Sequence, residues 1–154
     1  MNLDPTGVFA ALVAMGTLGW TLYRDVADRA RLKVVCKVGE IAVQGDAFQR
    51  DRVLSDCLIW QVTNTGNRPV VVTKVGGERT DGSQFGVPSH GGKYPHTLAP
   101  GDYLIEYTRD LDSGLSEDVR ALHVIDSRDR PFRAPRRQVA RLKREHAERR
   151  ARMS

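Results

Sequence analysis

Residues Val53 to Val75 read VLSDCLIWQVTNTGNRPVVVTKV, two apolar, β-branched runs on either side of the turn-forming set Thr65, Gly66, Asn67 and Arg68. In the first run Leu58, Trp60 and Val62 occupy alternate positions, so a strand over residues 53–63 buries all three on one face. Trp60 is the strongest core candidate. The second run opens on Pro69, which a first strand residue tolerates because it need not donate to the ladder. The spacing predicts that residues 53–63 and 69–75 pair as a hairpin.

The same period extends in both directions from this stretch. Towards the N-terminus, Val34, Cys36 and Val38 share one face and Lys33 and Lys37 the other, with residues 41–43 continuing the strand beyond Gly39. Towards the C-terminus, the Gly-, Ser- and Asp-rich residues 76–92 predict loops and short edge pieces around Phe85 and Val87. Leu98, Ala99, Pro100 and Gly101 form a turn into YLIEY (103–107), and VRALHVI (119–125) is a further strand. Ser127 to Arg130 turns the chain again into Phe132. Some seven short strands in roughly 100 residues predict a mainly β chain, an antiparallel β-sandwich over residues 32–135, without the helices of an α/β enzyme.

Two unlike flanks enclose that domain. Gly7 to Tyr23 (GVFAALVAMGTLGWTLY) is 17 residues without a charge, at the short limit for crossing a bilayer core of about 30 Å. Asp4 and Pro5 suit a helix start, and Trp20 and Tyr23 suit an interfacial belt. Arg24, Arg29, Arg31 and Lys33 follow the apolar run, whereas a cleavable signal peptide carries its positive charge before it. Residues 1–31 are therefore expected to be a membrane anchor, with the basic flank holding the body on the cytoplasmic side of the inner (cell) membrane. A core or oligomer-forming helix rich in Ala and Gly is the alternative.

At the other end, residues 128–152 hold eleven Arg or Lys and three acids, a net +8 in a chain whose total is +5. Residues 136–154 predict a helix, with Arg141/Glu145 and Glu145/Arg149 four apart. Val139, Leu142 and Ala147 make an apolar stripe too narrow to specify burial, so a solvated tail is expected. Its cations Arg136, Arg137, Arg141, Lys143, Arg144, Arg149 and Arg150 are the candidate anionic-surface residues. They suit anionic lipid or nucleic-acid phosphates, or merely keep the chain soluble. The predicted span favours lipid, and Phe132 as the lone aromatic of the stretch gives base stacking little support.

Gln61 to Val75, a strand ending Val-Thr-Asn-Thr-Gly-Asn and resuming as Pro-Val-Val-Val, resembles bacterial immunoglobulin-like β-sandwich modules. The wider layout is similar to uncharacterised small bacterial and phage-encoded proteins with one N-terminal span and a single such module. The resemblance implies a fold and no reaction, because these sandwiches host many functions, mostly binding. Cys36 and Cys57 are too close in sequence for the inter-sheet bridge of antibody domains, and Trp60 follows Cys57 by only three residues.

The residue types that carry chemistry do not assemble into a known pattern. Cys36 and Cys57 read as reduced, packed thiols. His90, Lys93, Tyr94 and His96 share the loop SHGGKYPHTL, but two His without a carboxylate or thiol at ligand spacing fall short of a zinc site. His123 alternates with Ala121 and Ile125 and reads as a cross-strand or rim residue. Asp110, Asp112, Glu117 and Asp118 lack EF-hand spacing and read as an acidic surface loop. No nucleophile-elbow Gly-x-Ser-x-Gly occurs, and Gly76-Gly77 and Gly91-Gly92 lack the helix that makes a phosphate cradle. The expected function is a membrane-anchored, non-enzymatic binding or scaffolding module with an unknown protein partner and no cofactor or metal. A homo-oligomeric assembly or virion component, and a nucleic-acid-binding protein using the tail, are the alternatives.

Overall fold

The computed structural model describes residues 5–27, 31–43, 52–88 and 94–153. Helix α1 (Pro5–Ala27) precedes strands β1 (Leu32–Val43), β2 (Arg52–Asn64), β3 (Val70–Arg79), β4 (Gln84–Gly86), β5 (His96–Leu98) and β6 (Tyr103–Thr108). A four-residue helix α2 (Leu111–Gly114), strands β7 (Val119–Asp126) and β8 (Pro131–Arg133), and helix α3 (Arg136–Met153) complete the chain. The molecule is mainly β, with two antiparallel sheets. One has the order β1-β2-β6, the other β4-β3-β7-β8 with β5 also on β3.

Alternation places the core as expected. Trp60 sits opposite Cys36 on β1 and Glu106 on β6. It is fully buried with Leu58 and Val62, against Val72, Val75, Leu122 and Val124 of the second sheet. Gly77 leaves the space that the Phe85 ring fills, since a Cβ there would lie 2.5 Å from two ring carbons. Cys57 and Ile59, on the other face of β2, join Tyr107 in a second small cluster with Ile41, Val43 and Leu54.

The expected hairpin is not formed. β2 pairs with β1 and β6, whereas β3 pairs with β4, β5 and β7, so residues 65–69 carry the chain from one sheet to the other. Alternation fixes which face of a strand is buried, and a partner across the core satisfies it as well as one beside it. Asn64 builds this corner: its Nδ2 donates to Arg68 O at 2.8 Å and Leu98 O at 3.0 Å, while its Oδ1 accepts from Gly66 N at 3.0 Å. The Pro100-Gly101 turn forms as expected, with Asp102 N on Ala99 O at 3.0 Å and Gly101 at φ 86°.

Two further expectations are corrected. The apolar stripe of α3 is sufficient for burial, because Val139 and Leu142 enter the main core, at 4% and 2% exposure. Gln138 and Lys143 widen the docked face, since the Gln138 Oε1 accepts from Cys36 N at 3.3 Å and Lys143 Nζ donates to Glu117 O at 2.6 Å and Val119 O at 3.1 Å. His123 is no rim residue: it is 1% exposed on β7, opposite Gly76 and Arg133.

Candidate functional site

Over residues 6–24 helix α1 presents its apolar side chains outward in every direction. Phe9, Leu12, Met15, Leu18, Trp20, Leu22 and Tyr23 are all exposed, and none of the 19-residue apolar window Thr6–Arg24 is buried against the rest of the chain. Its mean hydropathy of 1.4 and its length suffice to cross a bilayer. The polar residues inside it are satisfied locally: Thr17 Oγ1 donates to Val13 O at 3.0 Å and Ala14 O at 2.9 Å, and Thr21 Oγ1 to Thr17 O at 2.8 Å. The Trp20 and Tyr23 rings lie 6.0 Å apart, one turn before Arg24 at the helix end.

Docking of α3 divides the seven candidate cations into two groups. Lys143 is held by backbone carbonyls, Arg149 Nη1 lies 3.3 Å from Asp56 Oδ1, and Arg150 Nη1 lies 3.4 Å from Asp112 Oδ1. Arg136, Arg137 and Arg144 are exposed with no ion pair among the described residues, and Arg141 meets only the exposed Glu145 at 3.5 Å. Arg152, which the sequence reading left out, is also exposed and falls on the same side of the helix as Arg137, Arg141 and Arg144, as counting positions at 100° per residue would have shown.

Between α2 and α3 runs a groove of about 670 Å³, floored by Leu115, Ala147 and Ala151. His146 Nε2 lies 3.1 Å from Asp112 Oδ1 across it. The acidic loop beside the groove is ordered by its own backbone. Asp110 caps α2 by accepting from Ser113 N at 2.9 Å, and these hydrogen bonds hold its carboxyl below the ordinary range.

The interior holds several polar groups, of which Glu106 carried no signal in the sequence. Glu106 is 1% exposed beside Trp60, and burial first, then the Glu106 carboxylate, pushes the Tyr94 phenol up. Among the described residues neither ring nitrogen of His123 has a hydrogen-bond partner, and burial pushes its imidazole below the ordinary value. Glu78 opposes that shift and Arg133 and Lys74 add to it. Cys36 is a free, buried thiol that burial raises to about 12, and Cys57 is free on the opposite face of the same sheet. His90 and Lys93 lie outside the described residues. Among the described residues no three His, Cys, Asp or Glu side chains stand close enough to hold a metal ion.

No family model, curated protein or solved structure matches the chain.

Proposed function

We propose that the protein is a single-pass, membrane-anchored binding or scaffolding module, an immunoglobulin-like sandwich held at the cytoplasmic face by α1 and performing no catalysis. The observation that carries this reading is α1 itself. An apolar helix whose window Thr6–Arg24 is nowhere buried against the described residues requires another apolar environment, because exposed side chains of this size are costly in water. Arg24 at its end and Arg31 and Lys33 just beyond support retention of that end in the cytoplasm. The two-sheet architecture and the sheet-to-sheet corner at residues 65–69 support a sandwich whose loops and edges are free to meet a partner.

Fractionation tests it. Carbonate and high salt should leave the full chain in the membrane pellet, nonionic detergent should release it, and a reporter fused after Ser154 should be active only inside the cell. A chain that carbonate or salt renders soluble overturns the anchor, and if it emerges as a discrete oligomer the assembly reading replaces it. A reporter active only outside overturns the orientation.

A further inference from the structure

Helix α3 has two faces with opposite fates. Val139 and Leu142 are spent in the core, so the helix has no apolar side left to insert into a bilayer. On the outward side Arg137, Arg141, Arg144 and Arg152 fall within an arc of about 80° and extend over about 22 Å of helix. All four are exposed, Arg137, Arg144 and Arg152 have no ion pair among the described residues, Arg141 meets the exposed Glu145 at 3.5 Å, and Glu145 and Glu148 are the two acids between Arg137 and Arg152. Four exposed guanidiniums on a rigid support, three of them without an ion pair among the described residues and the fourth in an exposed and therefore weak one, suit repeated phosphate groups.

The position of the row points to the source of those phosphates. α3 packs on β1, the strand that follows α1 in the chain, with Gln138 at Cys36 and Arg149 reaching Asp56 further along the sheet. Cys36 lies about 13 Å along β1 from Leu32. The five steps from Ala27 to Leu32 span at most about 18 Å. The start of the row thus lies no more than about 40 Å from the helix end at Ala27, and the anchor keeps its local concentration at the headgroups high. Residues 136–153 contain no Phe, Trp or Tyr on which a nucleic-acid base could stack, and their one imidazole, His146, is half-buried on the docked side against Asp112.

We infer that the α3 row Arg137, Arg141, Arg144 and Arg152 rests on the anionic headgroups of the membrane that holds α1, so that the domain reclines on its α3 side. This rests on the anchoring proposed above. The contact is purely electrostatic, hence reversed by salt and set by headgroup charge rather than by acyl chains.

The test uses the full-length protein in vesicles, with a fluorophore on a cysteine replacing Ala140, which is exposed between Arg137 and Arg144. Both native cysteines are buried. Flotation with neutral phosphatidylcholine vesicles is measured first, since it depends on α1 alone. Headgroup-nitroxide lipid should then quench the label several-fold more in vesicles containing phosphatidylglycerol than in phosphatidylcholine, and high salt should abolish the difference. Replacing Arg137, Arg141, Arg144 and Arg152 together by Gln should remove it, whereas Arg149→Gln with Arg150→Gln should keep it; circular dichroism checks that each variant is folded. Quenching that ignores headgroup charge or survives the four substitutions overturns the inference while leaving the anchor intact. Failure to float overturns the anchor and the inference with it. If duplex DNA displaces the label from phosphatidylglycerol vesicles and itself requires the same four arginines, the row is a nucleic-acid interface and the lipid assignment falls.

Discussion

Trp60 has no exposed surface, lies between Cys36 and Glu106 in the three-stranded sheet, and meets the side chains of the opposite sheet across the core. Trp60→Ala should therefore cost about 3–5 kcal/mol, read as a lower denaturation midpoint at unchanged slope. An unchanged midpoint would mean that the core lies elsewhere. His123 gives a pH prediction. Its folded-state pKa is lowered, chiefly by burial, so below about 6.5 the unfolded chain takes up a proton that the folded chain resists. Stability is full above that value and declines as pH falls through it. Denaturant melts at pH 7.5 and 5.5 should show this loss in the wild type and a smaller one in His123→Leu; equal losses would acquit His123. Asp126 declines separately, at carboxylate pH. Burial works to raise its pKa, but hydrogen bonds from Arg130 and Arg128 outweigh this and lower it. Trp60 was legible because Leu58 and Val62 flank it at period two. Glu106 and His123 were not, since alternation assigns a face and says nothing of what covers that face or which polar residue is shut inside.

At the level of elements, the strands at residues 53–63, 103–107 and 119–125 were readable to within a residue or two of β2, β6 and β7, because β-branched runs between turn residues mark their own ends. Pairing was less legible. The Thr65–Arg68 turn looks like a hairpin locally, and only the long-range bond from Asn64 to Leu98 O shows it to be a corner between sheets. The docking of α3 was hidden for a related reason: Val139 and Leu142 form a narrow stripe, yet three residues apart they share a face, and Gln138 and the Lys143 stem extend it. Leu142→Ala should cost about 2–5 kcal/mol of domain stability, as a buried leucine does. Arg149→Gln and Arg150→Gln should each change it by less than about 1 kcal/mol, because their exposed ion pairs are weak. Chemical denaturation of the three variants distinguishes a docked helix, with Leu142 dominant, from a solvated tail, in which no single substitution matters.

Across the whole molecule, the two sheets and α3 enclose one hydrophobic interior to which α1 adds nothing, since no part of its apolar window is buried. That division separates a membrane helix from a core helix by stability as well as by location. A core helix removes its apolar face from water within the domain, so deleting it exposes the surface it covered and lowers the unfolding free energy by several kcal/mol. A helix that buries its surface only in lipid leaves the domain unchanged when deleted. A chain beginning at Arg31 should therefore be soluble without detergent. Compared in the same nonionic detergent, it should unfold at the same denaturant midpoint as the full chain, within about 0.5 kcal/mol. A clear loss of stability, or a shortened chain that aggregates with its sheets unfolded, would place α1 in the domain's own core and remove the reason for assigning it to a membrane. Equal stability together with a monomeric shortened chain would leave α1 with no apolar partner inside its own chain, and the bilayer or a second copy of α1 as the surface that must cover it.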